Sequence, residues 1–268
     1  MSLCGRKLRV LVPLLAVGLA TAVAVAAPAP KTPPPDPKDA ALADEPAEPA
    51  IDPAKLAADA ALRVKAAAQR TTSADNLKQI ALAVHNHADQ TGQLADNIVD
   101  KDGKPLLSWR VLLLPYIEQA PLYNMFRLDE PWDSAHNLGL LESMPKIYQS
   151  PRVTVKKTGY TVYQGFSGPS GLFGTGKALR FPGNIPDGTS ATLLAVEASV
   201  AVPWTKPLDI PFDPKKNVPD FGKAYGGKPL AALCDGSTRL LDLKKIKPQT
   251  LKNVINPCDG MVLGKDWE

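Results

Sequence analysis

One long helical pattern constrains this chain more than anything else in it. Asp52-Pro53 opens it: aspartate is a favoured helix N-cap, and proline suits the first helical position because its missing N–H needs no partner there. Residues 53–70 are rich in alanine, the best helix former, with Leu56, Ala60, Val64 and Ala67 keeping one face apolar. Leu77, Ile80, Ala81 and Val84 then recur at i, i+3, i+4 and i+7, an amphipathic stripe that must be covered by something else. Thr71-Thr72-Ser73 is a weak point, where the helix is expected to break and restart with Ser73 as cap; Gly92 is the expected stop.

Beyond Gly92 the chain changes character. Asp102-Gly103 marks a turn. Residues 106–117, limited by Pro115, and 121–126 read as short apolar helical segments, with a loop from Asp129 until Leu138. From Ser150 onward the pattern turns to β: Val153, Val155, Tyr160, Val162 and Tyr163, then the buried strand ATLLAVEAS after the Asp187-Gly188 turn. PLAALCDGSTRLLDL is a hairpin about Asp235-Gly236, and residues 248–255 suit a short helix. Helix first and strands later, with few βαβ alternations, argues an α+β fold: a long N-terminal helix packed on an antiparallel sheet, with long loops.

The first fifty residues lie outside that frame. Arg6, Lys7 and Arg9 precede an apolar run from Val10 to Val25 that ends in an Ala-x-Ala site, so residues 1–26 read as a secretory signal cleaved after Ala26. The run falls short of the ~20 residues of a spanning helix, and no other stretch approaches that length. Residues 27–50 form a proline- and alanine-rich linker that cannot bury apolar surface, which leaves 51–268 as a single α+β domain. Removing the signal's three basic residues lowers the formal net charge from +4 to +1, so the basicity belongs to targeting and gives no argument for nucleic-acid binding. Cys234 and Cys258 remain beyond the signal, and two thiols in an exported chain suggest a disulfide.

Four strings stand out together: DNLKQIALAVHNHADQTGQ, PLLSWRVLLLPYIEQAPLYNMFRLDEPWDSAHN, IPDGTSATLLAVEAS with AVPWTKPLDIP behind it, and the DGSTRLL hairpin. On these the chain resembles the planctomycete domain-of-unknown-function 1559 family, the prepilin-like proteins with a His-x9-Asp-Gly box, over roughly 75–250. The resemblance implies a pseudopilin-like fold, export, and for most members no assigned activity. Two departures are visible. The prepilin start is replaced by an ordinary signal and a proline linker, and Tyr225 stands where the box histidine should precede Asp235.

No reactive centre is spelled out. His85 and His87 are two apart on a helix and point in different directions, so they cannot chelate one metal together. Asp129, Glu130, Asp133 and His136 are the most site-like cluster: oxygen ligands with one imidazole for a metal, or paired carboxylates for glycosidic hydrolysis. Against both stands a loop pinned by Trp132, whose acids cap backbone N–H groups and pair with Arg110 or Arg127. Asp187-Gly188-Thr189-Ser190 is a turn rather than a nucleophile elbow, Glu197 reads as a paired structural acid, and the glycine-rich stretch 168–176 lacks the rest of a phosphate loop. Trp109, Trp132 and Trp204 serve either sugar stacking or the core. No catalytic residue and no cofactor is assigned.

The sequence therefore leads to an exported, non-enzymatic, pseudopilin-like structural or interaction protein of the periplasm or cell surface. Its expected partner is an envelope protein or a polysaccharide. The alternatives are a glycan-processing hydrolase, or a metal- or sugar-binding module, using the acidic loop 129–136.

Overall fold

The computed structural model describes residues 52–174 and 179–267; the signal and linker assigned to 1–50 lie outside the described residues. Helix α1 runs Pro53–Thr91, 39 residues, roughly 58 Å at 1.5 Å per residue. The Asp52 carboxylate accepts from the Ala54 N–H as N-cap, and Gly92 closes the helix with φ of 74°, a left-handed conformation that glycine adopts without cost. The expected break at 71–73 does not occur. The Thr71 and Thr72 hydroxyls donate back to the carbonyls of Ala67 and Ala68 (3.2 and 3.1 Å), so their polarity is satisfied within the unbroken helix.

Burial divides α1 in two. From Ser73 onward Leu77, Ile80, Ala81, Ala83, Val84, His87 and Ala88 are buried, while Leu56 and Val64 in the first five turns are 61% and 70% exposed. No helix of the described residues is long and apolar enough to cross a membrane.

The connecting region carries β1 (Ile98–Val99) and β2 (Pro105–Leu107), an antiparallel pair, then the one-turn helices α2 (Trp109–Leu112), α3 (Ala120–Tyr123) and α4 (Ala135–Leu138). The main sheet comes next: β3 (Tyr160–Gln164), β5 (Leu193–Pro203), β7 (Leu230–Leu233) and β8 (Thr238–Leu240), all antiparallel, in the order β3-β5-β7-β8. Between them β4 (Phe166–Ser167) and β6 (Ile210–Pro211) form a small parallel pair, and α5 (Pro248–Ile255) comes last. Val153 and Val155 lie in loop, not strand. The hairpin about Asp235-Gly236 and the helix at 248–255 form where the sequence puts them.

The sheet is buried on both faces, which explains the unbroken apolar run LLAV, and even Glu197 just behind it is buried. Along β7, Leu230 and Ala232 pack with α1, while Ala231 and Leu233 pack with Leu251, Val254 and Ile255 of α5. The strand's period of two sorts the same residues into two separate cores. Trp109 and Trp204 fill the helix side, 0% exposed, stacked on Phe173 and Tyr148 respectively.

Cys234 and Cys258 are not bonded. Both are free thiols, Cys234 buried among the helix-side core residues and Cys258 exposed against the Asn184 carbonyl. The disulfide expected from export is thus corrected: the hairpin turn draws Cys234 inward, while Cys258 lies on the outer surface past α5. Peptide mapping after alkylation of the native protein should label Cys258 and spare Cys234 until denaturant is added. Burial and the neighbouring Asp187 and Asp259 raise the Cys258 thiol's pKa, so its labelling at neutral pH should be slower than that of free cysteine.

Candidate functional site

The four residues of the acidic loop do not converge. Glu130 pairs with Arg127 (2.9 Å), and its hydrogen bonds to Ser134 and Arg127 hold its carboxyl below the usual range. His136 Nε2 contacts the Met125 carbonyl (2.8 Å), and Asp129 and Asp133 are exposed. Among the described residues no three His, Cys, Asp or Glu side chains are grouped to hold a metal ion. The loop's organiser is Asn137, which has no signal in the sequence that would single it out. It is buried, its amide nitrogen donates to the carbonyls of Arg127, Glu130 and Pro131 (2.9, 3.1 and 3.2 Å), and its oxygen accepts from the Arg127 N–H (3.1 Å). Ser134, as a neutral N-cap, sets α4 and so aims Asn137 inward. Trp132 is half-buried, with Lys206 over its ring at 5.1 Å.

The other two histidines are also engaged with backbone. His85 Nε2 lies 2.9 Å from the Cys234 carbonyl and its ring meets Phe181 edge-on. His87 Nδ1 lies 3.1 Å from the Gln93 carbonyl beneath Tyr116. Burial lowers the His87 pKa below its ordinary 6.5, outweighing the Gln93 hydrogen bond that raises it. The unfolded chain therefore binds a proton that the native state resists. Stability is full above pH 6.5 and falls as the pH drops from there toward the native pKa. A melting temperature that declines on mild acidification, and declines less in His87→Gln, is the expected result.

Two buried polar centres dominate the interior instead. In the first, Arg110 does not pair with the acidic loop, whose Glu130 takes Arg127, the other arginine the sequence offered. Its guanidinium, fully buried, reaches Asp209 (2.7 Å), the Tyr163 carbonyl through two nitrogens (3.0 and 2.8 Å) and the Ser108 hydroxyl (2.8 Å), with the Trp109 ring at 4.5 Å. Asp209 also accepts from Trp109 Nε1 (3.0 Å) and the Gly165 N–H (2.8 Å). Gly165 must be glycine, because a Cβ there would stand 2.2 Å from the Phe173 ring.

The second centre lies between α1 and the sheet. Glu197, buried in mid-β5, accepts from the Ser73 hydroxyl (2.6 Å), the Ser150 hydroxyl (3.1 Å) and the Leu230 N–H (2.8 Å), and pairs with Arg152. Ser73's single proton goes to Glu197, so Tyr163, 2.7 Å away, donates to Ser73. Arg152 also reaches the Lys228 carbonyl (3.0 Å) and lies 4.9 Å over the Tyr225 ring. Burial, reinforced by Glu197's charge, pushes the Tyr225 hydroxyl's pKa up, against the opposing effect of the neighbouring Ser150 hydroxyl. The residue that departs from the box pattern thus sits beside the ion pair at the junction of helix and sheet.

Residues 63–217 match the family described as Protein of unknown function (DUF1559). No curated protein matches the chain, and no solved structure does.

Proposed function

Starting from the fact that the chain belongs to the DUF1559 family of proteins of unknown function, we propose that it is an exported, non-enzymatic structural or interaction protein of the cell envelope. The observation that carries this reading is the first half of α1. The turns before Ser73 bury none of their side chains and hold Leu56, Leu62 and Val64 out to solvent, apolar surface available to a partner. The basic, apolar and Ala-x-Ala succession at the start of the chain supports export, and the proline-rich stretch behind it suits a spacer. The interior supports a non-catalytic role: its charged and imidazole side chains bond to one another and to backbone rather than facing a shared cavity.

The reading is tested by fractionating cells and sequencing the protein's N-terminus. Protein in the periplasmic or surface fraction that begins at Ala27 is expected, and cytoplasmic protein retaining Met1 overturns export. A photo-crosslinker at Val64 should trap an envelope partner in living cells; a chain that stays uncrosslinked overturns the interaction role.

A further inference from the structure

Where the projecting turns of α1 meet the body, a groove of about 380 Å³ opens beside the Glu197 centre. The helix contributes Arg63, Gln69 and Arg70 to its walls; the body contributes Arg152 and Tyr225. Arg63 and Arg70 are seven residues apart, so they share a helix face two turns or ~10.5 Å apart. Neither makes an ion pair among the described residues. Arg152 is held at the groove's inner wall by Glu197 below and the Tyr225 ring beside it. Three arginines therefore line one space; Arg152 is already paired with Glu197, whose buried carboxylate is satisfied by four donors, while Arg63 and Arg70 bring two further cations from the helix.

Guanidinium groups offer paired N–H donors matched to the two oxygens of a carboxylate, and their spacing along the helix suits charges repeated along a polymer better than one small anion. The remaining walls are Ala66, Ala67 and Ala224, too shallow to anchor the large apolar side chain on which peptide recognition depends. Gln69 adds an amide for hydroxyl groups. We propose that this groove binds an acidic polysaccharide through its carboxylates. The choice of a polysaccharide rests on the envelope location proposed above; the preference for anions rests on the arginines alone.

The test is fluorescence anisotropy of the full chain against labelled polygalacturonate, with neutral dextran and poly-glutamate as comparisons. Polygalacturonate should bind and dextran should not, and added salt should weaken the binding as it screens exposed charge. Arg63→Ala with Arg70→Ala should weaken binding about tenfold or more. Both positions lie on an exposed helix where alanine is the better helix former, so the fold should persist. Lys244→Ala with Lys245→Ala, basic residues elsewhere, should leave affinity unchanged. Equal binding to dextran, or an affinity indifferent to the arginine pair, overturns the proposal. Poly-glutamate binding as tightly through the same arginines overturns the polysaccharide and replaces it with an acidic polypeptide. Because purified polymers are used, failure here leaves the export reading to its own fractionation test.

Discussion

Asp209→Ala should cost about 3–5 kcal/mol of stability, the range for removing one partner of a buried ion pair. It leaves the Arg110 guanidinium uncompensated in a site with no exposed surface, and it strips the acceptor from Trp109 Nε1 and from the Gly165 N–H. For a domain of this size that corresponds to a fall in melting temperature of roughly 6–20 °C. The informative comparison is Asp209→Asn, which keeps the shape. Both carboxylate oxygens accept here, Oδ1 from Arg110 and Gly165 and Oδ2 from Trp109. Whichever way an asparagine amide turns, its NH2 meets a donor, so Asn should be nearly as damaging as Ala. An Asp209→Asn protein that melts within ~1 kcal/mol of the parent would mean the charge matters little and the site is held by packing. Replacing Arg110 and Asp209 together with apolar residues should recover part of the loss, since no isolated charge then remains buried.

That centre also shows what is legible in the sequence and what is not. The helical stripe Leu77-Ile80-Ala81-Val84, the hairpin at Asp235-Gly236 and the helix 248–255 are local patterns, and local physics decides them. A break at Thr71-Ser73 would require hydroxyls to act as helix breakers. Two of them satisfy themselves on the preceding turn, and the third is pulled into the core by Glu197, 124 positions away. The Arg110–Asp209 contact spans 99 positions, and nothing in LSWR or TKPLDIP announces that one string supplies the cation and the other the anion.

The acidic loop misleads in a different way. Asp129, Glu130, Asp133 and His136 attract the eye because they carry charge, yet what shapes the loop is a neutral amide. Asn137 can bond several backbone carbonyls at once because its NH2 carries two donors and its C=O accepts as well. Backbone satisfaction has no residue-type signature beyond the Ser134 cap, so sequence reading ranks it below any cluster of acids. The arginine groove is illegible for a related reason. Arg63 and Arg70 look like ordinary solvated helix charges until the fold brings Arg152 and Tyr225 alongside.

Glu197→Ala should be the second severe substitution, again about 3–5 kcal/mol, but with a regional signature that Asp209→Ala lacks. Glu197 ties three parts of the fold: Ser73 on the helix, Ser150 and Arg152 on the segment before β3, and Leu230 at the head of β7. Its loss leaves the Leu230 N–H unsatisfied within the sheet and frees Arg152 from the Tyr225 wall of the groove. The helix should loosen first where that tie acted. Amide exchange of residues 73–88 should accelerate more than that of α5, which packs on the opposite face of the sheet. Ser73→Ala removes two hydrogen bonds, the one given to Glu197 and the one taken from Tyr163, but keeps the charge pair, so it should cost about 1–3 kcal/mol, less than Glu197→Ala, and disturb the exchange pattern less. Because the carboxylate is buried, added salt should change the Glu197→Ala penalty little, in contrast to the salt-sensitive binding expected of Arg63 and Arg70. Uniform acceleration across both cores would show that the apolar stripe of α1, not the Glu197 centre, fixes the helix to the sheet. In that case the groove beside it would keep its shape without the ion pair.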